Sequence, residues 1–279
     1  MKVRIGTRGS RLALAQCSLA EQELYKKIPG IEIERVIVST HGDRVTDRPL
    51  SSLGGAGAFA GDIEKALLEG RIDIAVHSAK DLPAVLRQGL TVRAVLERED
   101  PSEVFIFGSG DPFAAVGTGS IRRRAAFGGM YPQAVFKDIR GNVDTRLRKL
   151  REGLYSGIIL AAAGLRRLGI FDETVNKRVF SPEELLPAPC QGIIALESRM
   201  GELEDILKSV DSEQSHFAFD AERAVMELLG GSCSQPVGGY CKMTPGGPEL
   251  WVTKDGINKA SANGYLSPGE LAEQAVKML

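Results

Sequence analysis

Residues 5–11 read IGTRGSR and residues 116–124 read VGTGSIRRR. Each stretch joins an apolar strand through a glycine turn to a helix that begins near a serine, with arginine close by. Backbone N–H groups left exposed at such a junction, together with the positive end of the helix dipole, make an anion site. Two copies in two α/β units point to a polyanionic ligand held between them.

Outward from these junctions, strand and helix patterns alternate. VRIGT (3–7) precedes a helix near 10–27, IEIERVIVS (31–39) a helix near 59–69, and DIAVHS (73–78) is followed by TVRAVLE (91–97). A second run reads EVFIF (103–107), AAVGT (114–118), a helix near 120–128, AVFKDIRG (134–141), a helix near 143–152 and the strand-like GIILAAAGL (157–165). This rhythm predicts parallel sheet covered by helices, with a hinge near 98–102 at Glu99-Asp100-Pro101. Ser181-Pro182-Glu183-Glu184 has the form of a short capped helix start. GIIALE (192–197) is placed to return to the first sheet. A helix over 213–229 stops at Gly230-Gly231. A hairpin turning at Asp255-Gly256 and a last helix near 270–278 behind Ser267 complete a small third unit.

Composition sets broad limits. The chain has 279 residues, 43% hydrophobic, with 35 Lys and Arg against 36 Asp and Glu. The net charge of −1 gives no general attraction to nucleic acid or anionic membrane, so any basic site is local. No apolar run reaches the roughly 18 residues of a membrane span, and MKVRIGTRGS lacks a signal core, which makes the cytoplasm the expected location. The cysteines (Cys17, Cys190, Cys233, Cys241) form no CxxC pair. With His41, His77 and His216 as the histidines, no metal site is expected.

Arginines cluster at predicted loops: Arg8 and Arg11, Arg122 to Arg124, Arg140 and Arg146, Arg166 and Arg167. The guanidinium fork binds carboxylate or phosphate at two points, whereas a solvated helix face is the ordinary reason for such runs. Position at strand ends favours binding for Arg8, Arg122, Arg123, Arg140 and Arg146, and leaves Arg148 and Arg151 to the surface. HSAKDLP (77–83) follows an apolar strand directly. That places Ser78, Lys80 and Asp81 at the carboxyl edge where open α/β sheets bind ligands, with a simple Lys–Asp ion pair as the alternative. LGGAGAF (53–59) lacks the GKS or GKT ending of a P-loop and reads as a lid or a plain connection. Cys233, in GGSCSQPVGG (230–239), is a thiol in a polar glycine-rich loop, a poor place to bury a small hydrophobe. Its chemistry stays open on spacing alone.

Taken together, TRGSRLALAQ (7–16), THGD (40–43), DIAVHSAKDLP (73–83), REDP (98–101), VGTGSIRRR (116–124), IRGNVDTRLRKL (139–150), IILAAAGLRRLG (159–169), CQG (190–192) and GGSCSQPVG (230–238) resemble the porphobilinogen deaminase family. The resemblance implies two periplasmic-binding-protein-like α/β domains around a cleft, residues 1–98 with 190–212 and residues 99–189. A small, shortened α+β domain over 213–279 would carry the cofactor. It implies a transferase that joins four porphobilinogen molecules head to tail with loss of ammonia, on a dipyrromethane attached to Cys233 by a thioether, and releases hydroxymethylbilane. Asp81 matches the catalytic aspartate. Ser78, Lys80, Asp81, Thr118, Ser120, Arg122, Arg123 and Arg146 match positions that bind the cofactor. Arg8, Ser10, Gln16, Arg140, Arg146, Arg167 and Gln191 match substrate-binding positions. Each pyrrole carries an acetate and a propionate, so the growing chain is the polyacid the arginine loops await. The implied protein is a monomer with no nucleic-acid or membrane partner.

Three departures stand out: Ala56 and Ser52 occur where the family lid usually has lysines, Gly119 replaces a hydroxyl residue, and the match weakens beyond residue 240. Two rival readings are a two-lobed binding protein for a small polyacid, and a nucleic-acid binder through Arg122–Arg124 and Arg146–Lys149. Balanced charge and the lack of aromatic stacking runs count against the second.

Overall fold

The computed structural model describes residues 1–40, 57–174, 176–230 and 235–279. The chain divides into two compact units, Met1–Glu99 with Ile193–Phe219, and Asp100–Gly192 with Asp220–Leu279.

The first unit holds a five-stranded sheet. Its strands are β1 (Lys2–Thr7), β2 (Glu32–Ile37), β3 (Ile74–Ser78), β4 (Leu90–Val95) and β10 (Ile194–Arg199), in the order β2-β1-β3-β10-β4. Strands β1, β2 and β3 run parallel, while β10 lies antiparallel between β3 and β4. One face is covered by α1 (Arg11–Lys27) and α6 (Glu204–Val210), which enclose Val3, Ile5, Leu24, Ile74, Val76, Ile194 and Leu196. The other face is covered by α2 (Gly57–Leu68), which packs Ile63, Ala66 and Leu67 on Ala75 and Leu90. A fully covered sheet explains why its central strands read as apolar runs rather than alternations.

The second unit repeats this plan. It contains β5 (Glu103–Phe107), β6 (Val116–Gly117), β7 (Phe136–Lys137), β8 (Gly157–Ala161) and β9 (Lys177–Phe180), in the order β7-β6-β8-β5-β9. Here β6, β7 and β8 are parallel and β5 is the antiparallel insert. Hence β6 takes the place of β1, β8 that of β3, and β5 that of β10. The helices are α3 (Ile121–Met130), α4 (Val143–Arg151) and α5 (Ala162–Arg167). An aromatic cluster fills one side, with the Phe127 ring 4.8 Å from Phe105 and 4.6 Å from Tyr131. The same unit holds a meander of β11 (Gly238–Thr244), β12 (Gly247–Thr253) and β13 (Ala260–Asn263), closed by α8 (Pro268–Lys277). Helix α7 (Glu213–Leu228) contains the chain position where the two units divide.

Several sequence expectations shift. The apolar run 157–165 is a strand only to Ala161, after which α5 begins. Ser181 caps a single turn, Glu184 N–H donating to its Oγ at 3.1 Å, and no helix follows. The hairpin at Asp255 is present, and β11 pairs with β12 to add a third strand to it. Ser267 caps α8 in a reciprocal capping box with Glu270.

Candidate active site

In the first unit, β1 ends at buried Thr7, whose Oγ1 donates to the Ala13 carbonyl at 3.3 Å, and Arg8-Gly9 turns the chain into α1. Ser10 is the N-cap, its Oγ accepting the Ala13 N–H at 3.3 Å, and no acidic residue occupies the first helical turn. A helix start without its own carboxylate leaves its positive end to an external anion. Arg8 is half-buried beside it.

The neighbouring strand β3 delivers the second half of this edge. Gln16, 5% exposed on α1, places Nε2 2.7 Å from the Ser78 hydroxyl and so ties the helix to the strand end. The chain then makes one 3-10 turn, Ala79–Asp81. The Ala79 N–H donates to the Ile193 carbonyl at 3.0 Å, and Leu82 N–H closes back on the Ala79 carbonyl at 3.1 Å. This fixed backbone presents Lys80 and Asp81 half-buried. Among the described residues, no hydrogen bond or ion pair engages the Asp81 carboxylate, so the simple Lys80–Asp81 pair is absent.

The second unit builds the equivalent edge. After β6, Thr118 is buried and its Oγ1 accepts the Ser120 N–H at 3.1 Å. Ser120 caps α3 by accepting the Arg123 N–H at 3.3 Å, again with no acid in the first turn. Arg122 and Arg123 lie beneath this turn, 4% and 7% exposed, and both bind Glu103. Arg122 also donates to the Leu186 carbonyl and Arg123 to the Ile159 carbonyl, at 2.5 and 2.9 Å. Burial pulls the Arg122 guanidinium below its ordinary value and Glu103 opposes that pull. Their partners in this structure are thus groups of the chain itself. Sequence reasoning missed Glu103, although a carboxylate opening the otherwise apolar EVFIF is a visible signal of a buried counter-charge.

Arg140 and Arg146 flank the start of α4. Gly141, at φ +112°, and the N-cap Asn142 separate them, and Arg146 Nε donates to the Gly141 carbonyl at 2.8 Å. The Arg140 guanidinium has no hydrogen bond or ion pair among the described residues. Arg148, by contrast, spends its charge on Glu152 at 2.6 Å on an exposed face, as a surface arginine does. At the end of α5, Arg167 Nη2 donates to the Gly192 carbonyl at 2.6 Å, while buried Gln191 donates to the Pro101 carbonyl at 2.8 Å. Cys190 holds φ +64° in this segment. Its N–H and that of Cys241 (2.7 Å) are both accepted by the fully buried Glu222 of α7, a second carboxylate that sequence reasoning passed over.

Cys233, His41 to Asp43, Ser52 and the lid stretch through Ala56 lie outside the described residues. The flanks of the cysteine loop are described. Gly230 (φ +60°) ends α7, and Gly239 N–H of β11 donates to the Pro187 carbonyl at 3.1 Å. A cavity of about 680 Å³ opens in the second unit at the other end of its strands, lined by Ala114, Ala115, Lys137, Tyr155 and Ser156. None of the expected site residues lines it. Among the described residues no group of His, Cys, Asp and Glu is arranged to hold a metal, and no helix is long and apolar enough to cross a membrane.

Comparison of the sequence with known proteins identifies its family. Residues 3–206 fit the family model described as "Porphobilinogen deaminase, dipyromethane cofactor binding domain". A probable porphobilinogen deaminase of Archaeoglobus fulgidus is 44% identical over 248 residues, 87% of this chain and 84% of that protein. A probable porphobilinogen deaminase of Methanosarcina mazei is 42% identical over 256 residues, 89% and 79% of the two chains. The porphobilinogen deaminase of Syntrophobacter fumaroxidans is 40% identical over 252 residues, 88% and 81%. Among solved structures, a TRAP periplasmic solute binding protein of Desulfovibrio salexigens reaches a TM-score of 0.46 at 11% identity, covering 80% of this chain and 77% of that one, too distant to decide anything here. The chain belongs to the porphobilinogen deaminase family, enzymes of tetrapyrrole biosynthesis with a dipyrromethane cofactor.

Proposed function

We propose that Asp81 is the catalytic residue of a reaction that joins porphobilinogen units with loss of ammonia and finally releases hydroxymethylbilane. The observation that carries this reading is the Asp81 carboxylate itself. It is held by a rigid turn at the carboxyl end of β3, half-buried, and engaged by no described group. A carboxylate in such a place stabilises the positive charge that develops on a pyrrole nitrogen as ammonia leaves and the ring is attacked. One preorganised electrostatic partner of this kind is commonly worth about 2.7–4 kcal/mol of barrier.

The cofactor, a dipyrromethane on Cys233, supplies a covalent primer from which the chain grows. The donor set fits the carboxylates of cofactor and substrate. Ser10 and Ser120 cap two helix starts free of acidic residues, and Arg140 carries a guanidinium with no described partner. Arg8, Gln16, Arg146, Arg167 and Gln191 serve the substrate acids, while Ser78, Lys80, Thr118, Arg122 and Arg123 serve the cofactor. For Arg122 and Arg123 the burial against Glu103 supports a specific form of that role: they hold the Thr118–Ser120 turn in shape and keep its surroundings positive. A monomer in the cytoplasm, acting on a small molecule with no nucleic-acid or membrane partner, completes the reading. The near-zero net charge supports the part of it that leaves out nucleic acid and anionic membrane.

Intact mass tests the assignment. The purified protein should carry an adduct of two pyrrole units that Cys233→Ser abolishes. Retention of the adduct in that variant would move the attachment to Cys190 or Cys241. A protein that never acquires an adduct on incubation with porphobilinogen would leave only a binding protein.

A further inference from the structure

On the face of the first sheet covered by α2, His77 of β3 lies against Glu197 of β10, Nε2 to Oε2 3.0 Å, with side-chain exposures of 6% and 0%. Glu64 enters the same layer from α2, 3% exposed, and its Oε2 meets Arg87 Nε at 2.8 Å. One oxygen of each carboxylate is left over. Glu64 Oε1 and Glu197 Oε1 are both buried and have no hydrogen-bond partner among the described residues.

The charges do not balance. Beside His77 the layer holds two carboxylates and the one guanidinium of Arg87, which contacts Glu64, and an uncompensated buried charge with orphaned acceptors is strongly unfavourable. The other charged groups on the packed elements are committed elsewhere. Arg4 of β1 and Arg199 of β10 bind Asp73, Arg93 of β4 binds Glu204, and Lys65 of α2 binds Glu69. Asp62 of α2 adds a further acid, and the turn beyond β3 adds Lys80 and Asp81. A single added proton removes the deficit. In keeping with this, burial first and the Glu197 charge second push the Glu64 carboxyl above its ordinary range.

We propose that Glu64 holds this added proton beside the Glu197–His77 pair, and that the three side chains through it act as positioning residues for Asp81. The connection is structural: α2 packs on β3, on β10 and on the Ala79–Asp81 turn, and His77 directly precedes Ser78 at that turn. With the proton in place, α2 seats on the sheet. When it is lost, two like charges meet under α2 and the helix eases away from the turn. The folded protein binds a proton that the unfolded chain has released above the ordinary glutamate value near 4.3, so stability falls as pH rises through the window up to the group's own value. The proposal rests on the Asp81 reading for what is positioned, whereas the Glu64 proton stands apart from it.

Carbon-13 NMR of the holoenzyme labelled at glutamate carboxyls tests the proton directly. One glutamate is expected to titrate above the ordinary range, and that signal should vanish in Glu64→Gln. Titration of every glutamate in the ordinary range overturns the proposal. Turnover against pH tests the positioning. Wild-type kcat should decline as the proton is lost, and Glu64→Gln, which cannot ionise, should move that decline by about one unit or more with KM unchanged. An unmoved decline overturns the positioning role. Should Glu64→Gln fail to fold, the wild-type titration and Glu197→Gln decide in its place. Failure of the Asp81 reading looks different: turnover would persist in Asp81→Asn while the carboxyl titration stayed as it was.

Discussion

Glu103 grips Arg123 at two points inside the second unit, Oε2 to Nη2 at 2.7 Å and Oε1 to Nε at 3.1 Å, and the same carboxylate also holds Arg122. All three side chains are buried. Removing the carboxylate strands two guanidiniums away from water. Glu103→Ala is therefore expected to lose roughly 3–5 kcal/mol of stability in urea titration. A loss below about 1 kcal/mol would show that water reaches the pair.

Asp81→Asn separates chemistry from folding. No described group binds the carboxylate, so the unfolding midpoint should stay within about 0.5 kcal/mol of wild type. Turnover should fall by about 10²–10³-fold, as when one preorganised charge partner is removed. Single-turnover rates with porphobilinogen measure it, and near-normal turnover would take Asp81 out of its role.

Cys17 should be inert in the native protein. Burial, with Glu21 next, pushes its thiol up to about 12, so only on the order of 10⁻⁴ of it is ionised at pH 8, and the thiolate is the reactive form. Iodoacetamide at pH 8, followed by peptide mass mapping, should leave Cys17 unmodified until the protein is unfolded.

The Asp255 turn gives an acid-side test. Backbone N–H groups of Ile257 and Asn258 donate to its Oδ1 at 2.8 Å each and hold the carboxyl down to about 2. Its contribution is present above the unfolded value near 3.9 and is lost as pH falls through about 2. The gap in urea midpoint between wild type and Asp255→Ala should be full at pH 6 and close between pH 4 and pH 2.

Gly157 opens β8 where a Cβ would stand 2.3 Å from the Phe105 ring and 3.0 Å from the Pro112 carbonyl. Neither neighbour is a loose side-chain tip, since Phe105 is locked in the aromatic cluster. Gly157→Ala should cost about 1–3 kcal/mol by overpacking, read from thermal unfolding.

Much of this was legible in the residues. The strand–glycine–serine junctions at 5–11 and 116–124 announced two α/β sheets, and the carboxyl-edge placement of Ser78, Lys80 and Asp81 followed from one apolar strand and its abrupt polar ending. Partners contributed by distant strands stayed hidden. Nothing local to Arg122 and Arg123 says that their counter-charge lies at Glu103, and no periodicity links His77 to Glu197, 120 positions on. Short strands were equally opaque. Two-residue β6 and β7 exist because β8 and the backbone of their loops pair with them, a tertiary effect with little propensity behind it.

The two matching sheets differ in when they can be finished. All strands of the second lie in one run of chain, Glu103 to Phe180, so it can assemble as it emerges from a ribosome. The first cannot, because β10, which sits between β3 and β4, is not synthesised until residue 199. Until then β3 and β4 are open edges awaiting a strand. The sheet that is begun first is thus the sheet that is completed last, and a nascent chain halted before β10 would expose the strand that leads to Asp81.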